Sequence, residues 1–221
     1  MIDPFTISRK IDHTLLKPDV DIDNIRQLCQ QAIKFHFYSV CINSVWLKKA
    51  GDFLQGSSVK LCTVAGFPLG NSTTFSKLNE METSINNGAS EIDMVMNIGF
   101  FKNEKYNIVS DEIKRMVQNA PGKIIKVIIE SGILSKKEII TATKLVEDSG
   151  AHFVKTSTGF SAFGASPEII TTIKSTLKSD TKIKASGGIK SLNQVEKLID
   201  AGANRIGSSS GIIIMKELTD K

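Results

Sequence analysis

The sequence predicts a single (β/α)8 TIM barrel, and two observations carry that prediction. Eight short runs rich in apolar and β-branched residues alternate with eight longer amphipathic segments over 221 residues, a pattern typical of parallel α/β folds. No GxGxxG turn follows the first run, which favours a closed barrel over an open, doubly wound sheet. Because no linker rich in Pro, Gly or Ser divides the chain, residues 1–221 are expected to form one domain, with residues 1–6 given no weight.

The predicted elements follow in strict alternation. The strands are Lys10–Leu15, Ser39–Ile42, Lys60–Val64, Glu91–Met96, Lys123–Ile129, His152–Lys155, Lys182–Ala185 and Arg205–Gly207. The helices are Asp23–Phe35, Ser44–Leu54, Thr74–Asn87, Asn103–Asn119, Ser135–Ser149, Ser166–Leu177, Ser191–Ala201 and Gly211–Glu217. Ser135 and Glu138 form a capping box at one helix start. Gly88, Gly150 and Gly202 each follow a helix, where a left-handed C-terminal residue needs no side chain.

The composition excludes several classes of protein. The formal net charge is +5, but the lysines are spread over nearly every predicted helix, so they indicate solvated helix faces and not a nucleic-acid surface. The surplus of positive charge mildly favours an anionic substrate. No apolar run approaches the ~18 residues of a membrane span, and the first residues contain no apolar signal-peptide core. A cytoplasmic protein without nucleic-acid or membrane partners is therefore expected.

The cysteines and histidines give no sign of a metal or of another cofactor. Cys29, Cys41 and Cys62 are odd in number and have no CxxC spacing, which argues against a disulfide scaffold and suits a reducing compartment. The three histidines form no HExxH or similar ligand pair. Cys41, near the end of a predicted strand, is expected to be a small buried residue and not a nucleophile.

A weak internal repeat points to the residues that carry chemistry. The segments Asn87–Met94, Ser149–Thr156 and Ala201–Ser208 each contain a helix-ending Gly-Ala followed by an apolar strand residue. Counting five residues from each glycine reaches three positions near the carboxyl ends of strands, where barrel enzymes place their active sites. Those positions are Asp93, Lys155 and Gly207.

A sharper repeat relates two lysines. Lys155 and Lys184 each begin the pattern Lys-x-Ser-x-Gly and are separated by about one βα unit, so they are predicted to occupy matching positions on adjacent strands, roughly 4.8 Å apart. Like charges at short range, together with partial burial, disfavour protonation of both amines. The neutral amine can attack a carbonyl and form a Schiff base. Asp93 would pair with the amine that stays charged and relay protons directly or through a water.

A structural interpretation of the same residues stays open. A lysine at the end of a strand is more often solvated than nucleophilic, and an aspartate within the apolar run Ile92–Met96 is equally compatible with a structural ion pair. The surroundings of Lys155 favour the catalytic interpretation, because apolar residues precede it and small residues follow it.

The loops after the last three strands indicate an anion site. They are rich in Gly and Ser at Ser157–Gly159, Ser186–Gly188 and Gly207–Gly211. Barrel enzymes often bind phosphate at such loops and at the start of a following helix, and Lys190 would add positive charge. The alternative is that these segments are simply tight turns, in which Gly and Ser are common.

Seven segments together resemble the deoxyribose-phosphate aldolase family, in order and from about residue 10 to about 215. They are Asp12–Pro18, Thr63–Gly70, Glu91–Gly99, Val127–Glu130, Phe153–Phe160, Lys184–Ile189 and Arg205–Gly211. The resemblance implies a class I aldolase that reversibly cleaves 2-deoxy-D-ribose 5-phosphate to D-glyceraldehyde 3-phosphate and acetaldehyde, with no metal or other cofactor. It leaves homodimeric and homotetrameric assembly both open.

The resemblance also implies roles for individual residues. Lys155 corresponds to the Schiff-base lysine, Lys184 to the second lysine that favours its neutral form, and Asp93 to the proton-relay aspartate. Asp12 corresponds to a supporting acidic residue on the first strand and is grouped with the substrate-binding positions. The phosphate-site positions correspond to Thr158, Gly159, Gly187, Gly188, Ser209 and Ser210.

Two departures from the family pattern affect the expectations. Phe163 stands where many relatives have Gly, a bulkier side chain that would narrow the mouth of the site. The sequence ends at Lys221 without the terminal Tyr that assists proton transfer in some members, so another group or a water is expected there. The competing interpretations are another Schiff-base aldolase or transaldolase, a metal-free sugar-phosphate isomerase or synthase, and a non-catalytic sugar-phosphate binder.

Overall fold

The computed structural model describes residues 4–219 and contains a closed barrel of eight parallel strands in sequential order. This confirms the predicted fold class. Every predicted strand is present, with bounds that differ by at most a residue or two at either end. The strands are β1 Ile11–Leu15, β2 Ser39–Ile42, β3 Lys60–Ala65, β4 Glu91–Val95, β5 Ile124–Ile128, β6 Phe153–Lys155, β7 Lys182–Ser186 and β8 Arg205–Ser208.

Helices surround the barrel, and each predicted helix is present with shifted ends. They are α1 Pro4–Ser8, α2 Ile22–Lys34, α3 Leu47–Leu54, α4 Thr74–Asn86, α5 Ile98–Lys102, α6 Tyr106–Gln118, α7 Lys136–Asp148, α8 Pro167–Thr176, α9 Leu192–Asp200 and α10 Gly211–Thr219. The capping box of Ser135 and Glu138 forms at the start of α7 as predicted. Gly88, Gly150 and Gly202 have positive φ angles just after α4, α7 and α9.

The prediction was wrong about two helix starts. The segment predicted as Ser44–Leu54 begins with a 3-10 turn, Ser44–Trp46, before α3. The segment predicted from Asn103 starts only at Tyr106, because Glu104 adopts a left-handed conformation with a φ of 56° and separates α6 from the short, unpredicted α5. The side chain of Asn97 starts α5 by accepting a hydrogen bond from the Phe100 N–H.

Two chemically different cores lie on the two sides of the barrel wall. The large apolar core lies between the strands and the surrounding helices, as the hydrophobic effect requires. The inside of the barrel contains buried charged side chains and a small apolar cluster of Leu16, Cys41, Cys62 and Val64. Buried charges must be paired to be tolerated, so the inside of the barrel is an ion-pair network. Its charged members are Asp12, Glu91, Asp93, Lys126, Lys155, Lys184 and Arg205.

The register of the strands places the predicted lysines side by side. Lys155 on β6 pairs with Lys184 on β7, as the Lys-x-Ser-x-Gly repeat predicted. On the preceding two strands, Asp93 on β4 pairs with Lys126 on β5. Among residues 4–219, no helix is long and apolar enough to cross a membrane.

Candidate active site

Lys155 and Lys184 share one carboxylate oxygen. Lys155 Nζ donates to Asp93 Oδ2 at 2.8 Å, and Lys184 Nζ donates to the same atom at 2.7 Å. The structure therefore brings together the three residues that the sequence selected, although they come from β4, β6 and β7. Both amines lie within hydrogen-bond reach of the same atom, which is the geometry required for proton exchange between them.

Of these three side chains, Lys155 alone lines a cavity. The cavity of about 310 Å³ opens at the carboxyl ends of the strands, where barrel enzymes carry out their chemistry. Lys155 is 2% exposed, whereas Asp93 and Lys184 have no exposed surface and lie behind it. A molecule in the cavity can therefore reach the amine of Lys155, with Asp93 and Lys184 in contact behind that amine.

The carboxylates around Lys184 hold it in the charged form. Burial by itself would lower the pKa of Lys184, but the adjacent carboxylates of Asp12 and Asp93 outweigh burial and raise that pKa. Burial would likewise raise the pKa of Asp93, but the ammonium groups around it hold that pKa well below the usual range. Asp93 is thus an anion and Lys184 a cation at neutral pH. The Lys-x-Ser-x-Gly repeat alone did not decide which lysine keeps its proton, and these contacts hold a fixed positive charge on Lys184.

A third lysine, Lys126, which was not predicted as a site residue, binds the other oxygen of Asp93. Its Nζ lies 2.7 Å from Asp93 Oδ1 and 2.6 Å from Glu91 Oε2. Cys62 donates to the same Asp93 oxygen at 3.3 Å. Lys126 precedes Lys155 by the same number of residues that separates Lys155 from Lys184, a signal that could have identified it. With both oxygens engaged, the Asp93 carboxylate is fixed in orientation.

Asp12 supports the cluster from below the cavity. It has no exposed surface and does not line the cavity, although the sequence grouped it with the substrate-binding positions. Its carboxylate forms an ion pair with Lys184, accepts a hydrogen bond from Ser39 Oγ at 2.7 Å, and accepts another from Arg205 Nη1 at 2.8 Å. The side chain of Asp12 points from β1 into the barrel. There its negative charge compensates the positive charges of Lys184 and Arg205.

The predicted phosphate loops line the same cavity as Lys155. Gly159, Gly187, Gly188 and Ser209 all contribute to its wall, and so does Lys190. The three glycines have φ angles of 88°, 91° and 74°, a left-handed conformation that other residues rarely adopt. A Cβ at Gly187 would also lie only 2.9 Å from Gly164 Cα. The loops can therefore present backbone N–H groups closely to a bound anion.

Ser210 and Lys17 lie in positions that the sequence did not specify. Ser210 is not among the described residues that line the cavity. Its N–H donates to Ser208 Oγ at 2.9 Å, and its carbonyl accepts from Ile214 N–H at 3.1 Å, so it starts α10. Lys17, from the loop after β1, lines the cavity and adds a second exposed ammonium beside Lys190.

Thr158 lines the cavity, but its hydroxyl already donates a hydrogen bond to another side chain. Its N–H and Oγ1 both donate to the carboxylate of Glu130, and Ser161 Oγ donates to the same group at 2.9 Å. Glu130 has a left-handed φ of 51° and is 5% exposed. Such strain in a buried acidic residue is typical of functional sites. Glu130 was not selected as a site residue from the sequence, and it holds the loop after β6 in place.

The aromatic residue at the mouth is Phe160 and not Phe163. Phe160 lines the cavity, with Phe67 edge-on to it at a ring-centroid distance of 5.3 Å. Phe163 is 67% exposed and is absent from the described cavity wall. The expectation that Phe163 narrows the mouth is therefore wrong, because the loop turns its side chain out beside Gly132.

The fold and the lysine–aspartate cluster fit the aldolases that use this barrel. Residues 6–217 match the family model of the DeoC/LacD family aldolases. The chain therefore belongs to that family of carbon–carbon lyases, which confirms that it is an enzyme and confirms the family resemblance seen in its sequence.

Individual relatives have a more specific name than the family model. The chain is 46% identical over 214 residues to the deoxyribose-phosphate aldolase of Dictyoglomus turgidum, covering 97% of this chain and 98% of the relative. It is 48% identical over 210 residues to that of Bdellovibrio bacteriovorus, covering 95% and 96%. The solved structure of the tetrameric deoxyribose phosphate aldolase from Aeropyrum pernix is similar with a TM-score of 0.91 and 30% identity, covering 99% of this chain and 93% of that one.

Proposed function

We propose that this enzyme reversibly cleaves 2-deoxy-D-ribose 5-phosphate to D-glyceraldehyde 3-phosphate and acetaldehyde through a Schiff base on Lys155. The observation that carries the proposal is the shared oxygen of Asp93, which joins an amine at the cavity to a permanently charged amine behind it. The relatives named above are deoxyribose-phosphate aldolases, which supports this substrate.

The first half of the reaction forms the imine. The reaction needs the amine of Lys155 in its neutral form, whereas the adjacent carboxylates of Asp12 and Asp93 keep Lys184 protonated beside it. The lone pair of Lys155 Nζ attacks C1 of the open-chain sugar, and loss of water from the carbinolamine gives a protonated imine. Asp93 accepts the proton that Lys155 Nζ loses, since its Oδ2 is 2.8 Å away.

The second half breaks the carbon–carbon bond. Removal of the proton from the C3 hydroxyl sends the electrons of the C2–C3 bond into the imine, which releases glyceraldehyde 3-phosphate and leaves an enamine on Lys155. A proton returns to C2 through water from the Asp93–Lys184 pair, because neither residue reaches the cavity directly. Hydrolysis of the new imine then releases acetaldehyde and restores the amine.

The phosphate is bound at the glycine and serine loops. The loops after β6 and β7 line the cavity, as does Ser209, which lies two residues before α10, and helix starts favour anions. Lys17 and Lys190 add charge without occupying the reacting centre. In this proposal the phosphate lies on one side of the cavity and C1 of the sugar lies near Lys155.

Trapping of the imine tests the mechanism. The enzyme is incubated with acetaldehyde and sodium borohydride, which reduces an imine to a stable ethylamine, and peptide mass spectrometry locates the ethyl group. We expect it on Lys155 in the parent and in the control Lys190→Ala, and no label and no turnover in Lys155→Ala. A trapped adduct on another lysine, or turnover of the deoxy sugar by Lys155→Ala, would overturn the proposal. The absence of any adduct in the parent would overturn it too and favour the isomerase or binder interpretations.

The same proposal includes the cellular location and the metabolic role of the enzyme. We place it in the cytoplasm, in the catabolism of deoxyribose phosphate, because its three cysteines are free and buried and reduced thiols persist there. Its partner is a small phosphorylated sugar, and either a homodimer or a homotetramer is compatible with the proposed chemistry.

A further inference from the structure

A second cavity lies at the opposite mouth of the barrel. Its volume is about 490 Å³, larger than that of the cavity at Lys155. Its wall includes Lys10, Tyr38, Lys182 and Arg205, which stand at or just before the starts of β1, β2, β7 and β8. The active site lies at the other ends of these strands, so the two cavities are separated by the ion-pair network inside the barrel.

The basal cavity, as we call this second cavity, is lined by four cations. They are Arg9, Lys10, Lys182 and Arg205, and no acidic side chain lines it among the described residues. Arg205 is compensated from inside the barrel by Asp12 and Glu91. Within residues 5–219, no ion pair is found for the other three cations. Among the residues that the structure describes, the basal cavity therefore presents positive charge to solvent without an ion-pair partner.

Two of these cations are held in fixed positions by Tyr38. The guanidinium carbon of Arg205 lies 3.4 Å from the centre of the Tyr38 ring, and that of Arg9 lies 5.3 Å from the same centre. Arg9 Nη1 also donates to the Phe37 carbonyl at 3.5 Å. Stacking on a ring restrains a guanidinium before any ligand arrives, which lowers the entropic cost of binding an anion.

We propose that the basal cavity binds a small organic phosphate that carries at least two negative charges. Two restrained guanidinium groups and two flexible ammonium groups around a concave surface suit phosphate oxygens. A solvated helix face, by contrast, would spread its cations and pair them with acidic residues. The cavity is separate from the site proposed for the sugar phosphate, and its occupancy does not depend on the proposed reaction.

Calorimetric titration with ADP tests this site. The matched variants are Arg9→Gln/Lys182→Gln, which removes two cations of the basal cavity, and Lys190→Gln, which removes one from the active-site cavity. In buffer of low ionic strength we expect one ADP per chain for the parent, the same affinity for Lys190→Gln, and an affinity at least about tenfold weaker for the double variant. Uncharged adenosine is expected not to bind.

Every other result counts against the proposal. If ADP shows no saturable binding, if the double variant binds as tightly as the parent, or if adenosine binds as well as ADP, the basal cavity is not a phosphate site. If Lys190→Gln loses the binding instead, ADP occupies the active-site cavity. Thermal unfolding by circular dichroism confirms that the variants are folded, and acetaldehyde-dependent turnover is expected to be unchanged in the double variant.

Discussion

Gly207 on β8 leaves the space that Lys184 occupies. A Cβ added at Gly207 would lie 3.0 Å from Lys184 Cε and 3.1 Å from Ser186 Cβ, tighter than side chains normally pack. Gly207 holds the same place in the Gly-Ala repeat as Asp93 and Lys155. The three repeat positions thus provide a carboxylate, an amine and the gap into which the second amine fits.

Gly207→Ala is expected to displace Lys184 from Asp93 and to lower kcat by about tenfold, since small misplacements of catalytic groups cost large factors in rate. Steady-state kinetics on the deoxy sugar phosphate measures the effect. Gly51→Ala in α3 is the control, because its added Cβ would meet Leu61 at an ordinary 3.6 Å. Parent-like kcat in Gly207→Ala would show that the gap is not needed.

Lys184→Met is expected to lower kcat by roughly a hundredfold or more, the size of effect typical of lost acid–base and electrostatic groups. The pH dependence of this loss follows from charge. The pKa of Lys184 is raised by Asp12 and Asp93 against the effect of burial, so the parent keeps this positive charge through neutral pH. The loss of rate in Lys184→Met should therefore have a similar size on both sides of neutral pH.

The pH–rate profile from about pH 6 to pH 10 measures this loss of rate, with Lys182→Met as the control on the same strand, where the side chain is exposed. The control is expected to keep the profile of the parent. Parent-like activity in Lys184→Met, or a loss of rate that disappears just above neutral pH, contradicts a catalytic role for the charge of Lys184.

Lys126→Met is expected to reduce the free energy of unfolding by about 3–5 kcal/mol, because it leaves two buried carboxylates without their shared cation. Lys126 has no exposed surface, and Glu91 and Asp93 both contact its Nζ. Urea unfolding followed by circular dichroism gives the change. Lys102→Met breaks a partly exposed pair with Glu138, so it serves as the control and should change stability by less than about 1 kcal/mol.

A second variant separates the lost ion pair from a mere packing defect. Lys126→Met/Glu91→Gln removes one of the two stranded negative charges and should recover part of the lost stability. A single variant as stable as the parent would contradict the prediction, and so would a double variant less stable than the single one. Either result would show that the ion pairs of Lys126 do not contribute the predicted free energy of unfolding.

Local patterns in the sequence predicted the barrel and the centre of its site. Alternation of short apolar runs with amphipathic helices depends on nearby residues, and so does a capping box such as that of Ser135 and Glu138. The Lys-x-Ser-x-Gly repeat correctly predicted the pairing of Lys155 with Lys184, because each βα unit returns the chain to the same height in the barrel. The short α5 was missed, because its start depends on the single side chain of Asn97.

By itself the sequence determined the order of the elements, the pairing of Lys155 with Lys184 and the glycine-rich loops near them. Only the tertiary structure decided that Lys155 reaches the cavity while Lys184 is buried, and that Asp12 supports Lys184 instead of lining the cavity. It also decided the place of Lys126, Glu91 and Arg205 in the network. The physical reason is that these charges compensate one another across the closed barrel, between residues far apart in sequence, and no local pattern records which distant strand supplies the partner.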